Sequence, residues 1–379
     1  MRIFWSLNVL ENQLLDQIYS ILKNNLNITI SIFPKNINYE EYIQHPLSKL
    51  NNFILLNKKN IKNNNFYSLL FLLHLCINKY DLIDTKMAQS RESYIVYILN
   101  KLFNKKYLVN LYGRERYVLD KSKNTTKTFN QRVINVLKNS IFHIDNDKTL
   151  QEVSNYVGKN NYLLYNTINI DRFVTILKKD INVPTVFYNH RLIPDKRPAV
   201  FFDAVNILKS KNLVFKVIIV GPKRLDSELG IKVDNYIKNN DLLSYIEWID
   251  NRVDGETMNG LYARSDITVN ISELIVPSLA TLEAMASGLA PVISDEIDSD
   301  KYVEDGINGF VIKPDSDLLA QKLEQLIINK DLRVEFGQKS QERAQMYFDI
   351  DKWGKIYGDI YRHILNGEKL PKDFLEYGS

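Results

Sequence analysis

A chain of 379 residues, 45% hydrophobic and 25% charged, is long enough for two domains with large cores and too rich in aromatic and aliphatic residues for disorder. Its single cysteine, Cys76, excludes an internal disulfide framework and fits a reducing compartment; it lies in an apolar run and reads as a small buried hydrophobe. The net charge of +4 hides an asymmetry, because residues 1–180 carry 25 Lys and Arg against 14 Asp and Glu, and the remainder 24 against 31. The basic half suits an anionic partner such as a membrane surface or a nucleic acid, or it reflects the codon bias of an AT-rich genome, which tracts such as KNNLNITI also fit.

Short apolar strands alternate with longer amphipathic segments along the chain. In the first half RIFWSL, ITISIF, FILL, DLID, YLVNLY, SIFHI and YLLY read as strands, with helices such as LLDQIYSILKN between them. The opening MRIFWSLNVLENQ turns polar too early for a signal peptide. The run FYSLLFLLHLCI from Phe66 is too short to span a bilayer and follows the basic tract NKKNIKNNN. It reads as a core helix behind an exposed loop, or as a segment resting on an anionic membrane to which Lys58, Lys59 and Lys62 are drawn. In the second half PTVFYN, FKVIIVG, IEWI, DITVNI, APVIS and GFVI are strands, and RPAVFFDAVNILKS and SDLLAQKLEQLIIN are helices. The alternation predicts an α/β chain with two parallel sheets covered by helices. The join is expected between Asp171 and Pro184, giving one domain over residues 1–180, a second over 181–348, and a helix within 349–379 that returns toward the first.

Open α/β domains hold ligands outside the carboxyl ends of their strands. In PTVFYNHRLIPDKRP a strand leads into a loop bearing Arg191 and Lys196. Two cations there can grip a diphosphate, arginine as a fork and lysine as a point charge; a solvated loop in which Asp195 pairs with either cation is the plainer alternative. FKVIIVGPKRL ends its strand at Gly221, where glycine admits a tight turn or the close approach of a ligand. In SDITVNISELIVPSLATLEAMASG, Ser278 caps a helix that Gly288 ends. The N–H groups of Leu279 and Ala280 are placed to hold phosphate oxygens, and Thr281 adds a hydroxyl. Glu283, one turn in, can accept two hydrogen bonds from a ribose diol, or serve the helix dipole or an ion pair instead. Taken together, these groups describe a nucleoside diphosphate with something attached.

The segments HRLIPDKRP, VIIVGP, LYARSDITVNIS, PSLATLEAMASGLAPVIS and VEDGINGFVIKPDS, in that order, resemble the second domain of the retaining GT-B glycosyltransferases called family 4, or glycosyl transferases group 1. YDLIDTK, LVNLYGRE and LYNTINIDRF resemble the first domain more loosely. The resemblance implies a GT-B fold, two Rossmann-like domains facing a central cleft, with a nucleotide-sugar donor in the second domain and an acceptor in the first. It also implies that Arg191 and Lys196 act on the donor diphosphate in catalysis, that Gly221 and Ser278 border the donor, that Leu279 and Ala280 meet the distal phosphate, and that Glu283 holds the ribose. Three features depart from the family pattern, the first being that the glycine pair usual after the first strand is missing from WSLNVLENQ. Where the family carries a glutamate eight residues before Glu283, this chain has Ile275, and Glu273, two residues away, is the candidate replacement at the donor sugar. Where the family often has a histidine before a glycine, Tyr112 precedes Gly113; with Arg114 and Glu115 these are the acceptor-side candidates.

Asp145-Asn-Asp147, Asp298-Ser-Asp300, Asp315-Ser-Asp317 and Asp349-Ile-Asp351 match the Asp-x-Asp pattern of metal-dependent transferases, as chance allows in an Asp-rich chain, and Asp315 reads as a helix cap. No metal and no cofactor is expected; the two cations stabilise the leaving diphosphate instead. The function this implies is transfer of a hexose-type sugar, with retention, from a nucleotide sugar to a glycan or lipid-linked acceptor of cell-surface polysaccharide biosynthesis. The expected location is cytoplasmic or peripheral on the inner face of the membrane. Sugar transfer to nucleic acid is the first alternative, resting on the basic first half and on NHRL, which is similar to transferases that modify transfer RNA, but an aromatic-basic recognition module is not evident. A catalytically silent nucleotide-sugar-binding subunit is the second, resting on Ile275 and Tyr112.

Overall fold

Buried runs of β-branched and aromatic residues, each followed by an amphipathic segment, build two parallel sheets. The computed structural model describes residues 1–7, 9–10, 12–112, 115, 127–174, 183–273, 278–296 and 298–370. The chain divides into one unit formed by Met1–Tyr165 with Ile350–Ser379 and another formed by Asn166–Asp349.

The strands of the first unit are β1 (Arg2–Ser6), β2 (Val9–Leu10), β3 (Thr29–Ile32), β4 (Asn36–Ile37), β5 (Phe53–Leu55), β6 (Leu82–Lys86), β7 (Tyr107–Leu111), β8 (Phe142–Asp145) and β9 (Asn161–Leu163). Its helices before the crossover are α1 (Asn12–Asn24), α2 (Tyr39–Gln44), α3 (Asn64–Ile77), α4 (Arg91–Phe103), α5 (Lys127–Asn139) and α6 (Lys148–Tyr156). Seven strands pair in parallel in the order β5-β3-β1-β6-β7-β8-β9, with Ile3 opposite Leu82 and Ile83 opposite Tyr107, while β2 and β4 form a separate pair. Every position of β6 and β7 is buried, as strands covered on both faces require. One face is covered by α3 to α6, through residues such as Phe71, Leu75, Val96, Leu99, Val136 and Val153.

The second unit runs through α7 (Asp171–Val174), β10 (Thr185–Tyr188), α8 (Pro198–Ser210), β11 (Lys216–Val220), α9 (Glu228–Asn239), β12 (Ile246–Ile249), α10 (Gly255–Ala263), β13 (Ile267–Asn270), α11 (Leu279–Ala286), β14 (Ala290–Ser294), α12 (Ser299–Tyr302), β15 (Phe310–Ile312), α13 (Ser316–Ile328) and α14 (Lys330–Tyr347). Its six parallel strands lie in the order β12-β11-β10-β13-β14-β15. Both large sheets therefore reverse their strand order beside the first strand, the arrangement that parts neighbouring loops at the carboxyl ends and leaves room for a ligand. The last helix, α15 (Ile350–Asn366), belongs to the first unit, where it packs on α1. The approach is close: a Cβ on Gly354 would sit 2.0 Å from Ser20 Oγ, and one on Gly358 2.2 Å from Asn25 Oδ1.

Two expectations need correction. The first unit ends at Tyr165 and not at residue 180, because the segment after it pairs with the second unit. The Ile168 N–H donates to Phe348 O at 3.0 Å, and the Phe173 ring meets Tyr262 edge-on. Cys76 is exposed, because α3 turns Tyr67, Phe71 and Leu75 toward the sheet and Cys76 to the opposite side.

The first unit also holds a buried polar network between β6 and α15. The Lys86 ammonium lies 3.0 Å from Asp84 Oδ1 and donates to Tyr357 Oη at 2.8 Å, with the Trp5 ring centroid 3.7 Å away. Tyr357 and Tyr361 each donate to Asp84 Oδ2 at 2.7 Å, and Asn110 Nδ2 donates to Oδ1 at 2.6 Å. Burial lowers the Lys86 pKa to about 8 against the opposing pull of Asp84.

Candidate functional site

The candidate residues of the second unit collect at the carboxyl ends of β10, β11 and β13. All four residues of β10 are buried, and the chain leaves it through His190, itself buried. His190 Nε2 lies 2.9 Å from Val269 O, so this nitrogen carries the proton and ties the loop to β13. Burial, with the charge of Lys196 next, pushes the His190 pKa down to about 3 and keeps the ring neutral. The loop turns through Pro194–Lys196; Arg197 adopts a left-handed conformation (φ +46°), and Pro198 then opens α8 with a preset φ.

That turn sets the cations. Arg191 is exposed, and Lys196 Nζ donates to Ser272 Oγ at 2.8 Å. Burial, and then the neighbouring Arg191 charge, lower the Lys196 pKa, so the two cations are close enough to repel. An anion between them would relieve that repulsion. Arg197, which sequence reasoning passed over, reaches Ile271 O and Ser272 O at 3.3 and 3.4 Å and pairs with Glu296 at 2.9 Å. It belts the β10 loop to the one after β13.

From Ser272 a chain of polar contacts runs to the start of α11. Ser272 Oγ donates to Asn270 Oδ1 at 2.5 Å, and Asn270 Nδ2 donates to Thr281 Oγ1 at 2.9 Å. Thr281 Oγ1 lies 3.0 Å from Ser278 Oγ, and Ser278 caps the helix by accepting the Thr281 N–H at 3.3 Å. The Leu279 and Ala280 N–H groups fall in the first turn, where a helix offers no acceptor of its own. Thr281, expected to offer its hydroxyl to a phosphate, is instead buried with that hydroxyl engaged by Asn270 and Ser278. Gly288 takes φ +75° beyond the helix end.

Glu283 is half-buried, and Tyr262 donates its hydroxyl to Glu283 Oε2 at 2.9 Å. Burial raises the Glu283 pKa, while the Tyr262 hydrogen bond and then the Arg172 charge pull it back. The Tyr262 hydroxyl also meets the Asn189 side chain, which links β10, α10 and α11 at this point. Gly221 has φ +131°, a conformation that side chains disfavour; its carbonyl accepts from Trp248 Nε1 at 2.8 Å. Glu273 is exposed and its N–H donates to Asp195 O at 2.7 Å; Ile275, in the segment 274–277, lies outside the described residues.

In the first unit, Tyr112 follows β7 and its N–H lies 3.4 Å from Glu115 Oε2. Glu115 is buried, with Oε1 accepting the Ala88 N–H at 2.8 Å, so this carboxylate shapes the β6 loop. Gly113 and Arg114 lie outside the described residues. Asp315 and Asp147 serve as helix caps, accepting from the N–H groups of Leu318 and Leu150 at 2.9 Å each. Among the described residues no group of three or more His, Cys, Asp or Glu is arranged to hold a metal ion. Open recesses of about 500 and 480 Å³ border Asp81 and Lys106 in one unit and Pro184 and Val214 in the other. These residues precede strands, at the opposite ends from those where open α/β sheets take ligands.

Ser272, Asn270, Tyr262 and Arg197 carry much of this geometry and were not candidates in the sequence. Arg197 directly follows Lys196, and Tyr262 lies within LYARSDITVNIS, one of the segments of the family resemblance.

A six-stranded parallel sheet with cations, a helix start and a carboxylate at its carboxyl ends, preceded by a second sheet of the same order, is the architecture of GT-B glycosyltransferases, and the chain has that fold. Residues 169–343 match the family model described as glycosyl transferases group 1, so the second unit carries a domain of that kind. The chain is 25% identical to an uncharacterized glycosyltransferase of Methanocaldococcus jannaschii, over 93% of this chain and 94% of the relative. Among solved structures it resembles sucrose-phosphate synthase from Thermosynechococcus elongatus, with a TM-score of 0.73, 15% identity, and 97% and 99% of the two chains covered. It resembles the Anabaena protein HepE in complex with UDP equally, with a TM-score of 0.73, 17% identity, and 95% and 99% covered.

Proposed function

We propose that the chain moves a sugar from a nucleoside-diphosphate donor, held in the second unit, to a glycan or lipid-linked acceptor, with retention at the anomeric carbon. The observation that carries this reading is the setting of Lys196, aimed by Ser272 and crowded by Arg191, on a loop that the Ser272–Asn270–Thr281 contacts tie to the start of α11. Cations and a helix start in that setting suit an anion of diphosphate size, and Glu283, one turn further on, suits the ribose diol. HepE, solved with UDP and with UDP-glucose, has the same fold and suggests uridine as the first base to try.

In this reading the bond from the anomeric carbon to the diphosphate oxygen breaks, and a bond to an acceptor hydroxyl forms on the same face. The hydroxyl proton passes to the departing diphosphate oxygen, and Arg191 and Lys196 stabilise the charge that develops there. No metal and no cofactor takes part. Gly221 lets backbone come near the donor, and Glu273 meets the transferred sugar. The loop at Tyr112, Gly113, Arg114 and Glu115 borders the acceptor. The setting is the cytoplasmic side of a membrane where cell-surface polysaccharide is assembled.

The test is a thermal shift with UDP, UDP-sugars and other nucleotide sugars, followed by donor hydrolysis without an acceptor. A shift with a nucleotide, lost in Lys196→Ala, supports the site. No shift with any nucleotide sugar overturns it, and binding without hydrolysis or transfer assigns a silent binding subunit.

A further inference from the structure

Helix α3 has no Lys, Arg, Asp or Glu in its sequence NNFYSLLFLLHLCI, yet one of its faces is exposed. Tyr67, Phe71 and Leu75 enter the core, while Phe66, Leu69, Leu73 and Ile77 recur at helical spacing on the outside, each between 46 and 79% exposed. On the adjoining α4, Leu102 and Phe103 are 67 and 58% exposed. A contiguous row of this kind is unusual on a lone protein and marks a surface that something covers.

The charges around the row indicate what covers it. Exposed Lys58, Lys59 and Lys62 precede α3. Arg91 Nη2 donates to Asn65 Oδ1 at 2.9 Å, which places a cation at the start of the helix, and Lys105 Nζ donates to Asn78 O at 3.0 Å, which places one at its end. From Asn57 to Lys106 there are nine Lys and Arg against three Asp and Glu; Lys86 is buried with its partner Asp84, and so is Glu92, which leaves eight cations against Asp81. Among the described residues no helix is long and apolar enough to cross a membrane. We propose that the outer face of α3, flanked by these cations, docks on an anionic lipid bilayer, with the apolar row against the acyl boundary and the lysines among the headgroups. The assignment of this surface stands apart from the donor site, which lies in the other unit.

The test uses the full chain and vesicles of phosphatidylcholine with and without phosphatidylglycerol. Cosedimentation with the anionic vesicles, weakened by salt and absent with the neutral ones, is expected. Replacing Lys58, Lys59 and Lys62 together by glutamine should lower partitioning on the order of 100-fold, at about one factor of five per cation near the surface. Leu69→Gln with Leu73→Gln should also lower it, with an unchanged melting temperature, since both side chains point away from the core. Failure to bind anionic vesicles at low salt overturns the proposal. So does binding that ignores the two leucines, or self-association that the leucine changes abolish while vesicles have no effect, which would assign the face to a second copy. UDP binding on the same samples should be unchanged; its absence in the wild type would undo the sugar-transfer reading and leave the vesicle result standing.

Discussion

Tyr262 and Glu283 face each other across two helices, and the tyrosine hydroxyl, 2.9 Å from Oε2, fixes one oxygen of the carboxylate. Tyr262 is fully buried, so its position is fixed by packing, and Glu283 inherits that rigidity.

The pH dependence of nucleotide binding follows from this pair. Burial raises the folded-state pKa of Glu283 above its ordinary value, so the native chain keeps this proton to higher pH than the unfolded one. Its contribution to stability is therefore present below the ordinary carboxylate range and lost as pH rises through the raised pKa. Ribose binding runs the other way, because the ionised carboxylate is the better acceptor, so UDP affinity should climb over that same interval. Titrations from about pH 4 to about pH 8 should show the climb in the wild type and a flat, weaker profile in Glu283→Gln. In Tyr262→Phe the climb should move to higher pH.

Removing the cations separates gripping from aiming. Lys196→Ala should weaken UDP binding by about 1.5–3 kcal/mol, the worth of a charged hydrogen bond, and Arg191→Ala by a similar amount. Ser272→Ala leaves the charge in place and loosens only its orientation, at about 0.5–1.5 kcal/mol. Calorimetric titration with UDP reads all three, and unchanged affinity in both cation variants would remove the diphosphate from this loop.

The packing of α15 on α1 predicts opposite outcomes for two glycines. Gly354→Ala forces a methyl to within 2.0 Å of Ser20 Oγ and should cost about 1–3 kcal/mol. Gly260, inside α10, has nothing within 4 Å of an added Cβ, so Gly260→Ala should stabilise by roughly 0.5–1 kcal/mol through helix propensity. Thermal melts of the two variants should move in opposite directions.

The network around Asp84 is a buried ion pair, and breaking one side is costly. Lys86→Met leaves Asp84 with its tyrosine and asparagine donors and no cation, which should cost about 3–5 kcal/mol. Amide exchange should quicken in α15 before it does in the second unit, because Tyr357 and Tyr361 are the contacts that slacken.

The strands were legible because stretches such as KVIIV and APVIS are buried on nearly every position, and a buried parallel strand has no polar face to disguise it. The places of Arg191 and Lys196 past a strand end were legible because they follow PTVFYN closely, and that of Glu283 one turn into a helix because Ser278 is a readable cap. The Ser272–Asn270–Thr281 chain was not: each is a common polar residue, and they meet because the chain folds back between β13 and α11. Helix α3 was ambiguous for another reason. Both of its faces are apolar, so hydrophobic periodicity has nothing to contrast, and Cys76 gave no sign of its exposure. The charged helix α14 conceals its contacts similarly, since Arg333, Gly337 and Ser340 are among the residues it buries.

The placement of α15 bears on how the protein is made. Translation delivers β1, β6 and β7 early, but Tyr357 and Tyr361, the lids over Trp5, Asp84 and Lys86, leave the ribosome only after residues 166–349 have been synthesised. The unit encoded in the middle of the gene thus has all of its residues in hand first, while the unit that began the chain waits with a charged pocket uncovered. A nascent chain halted before Ile350 would carry a finished second unit and an unsealed first one, a species open to chaperones and proteases at the earliest strands of the sequence.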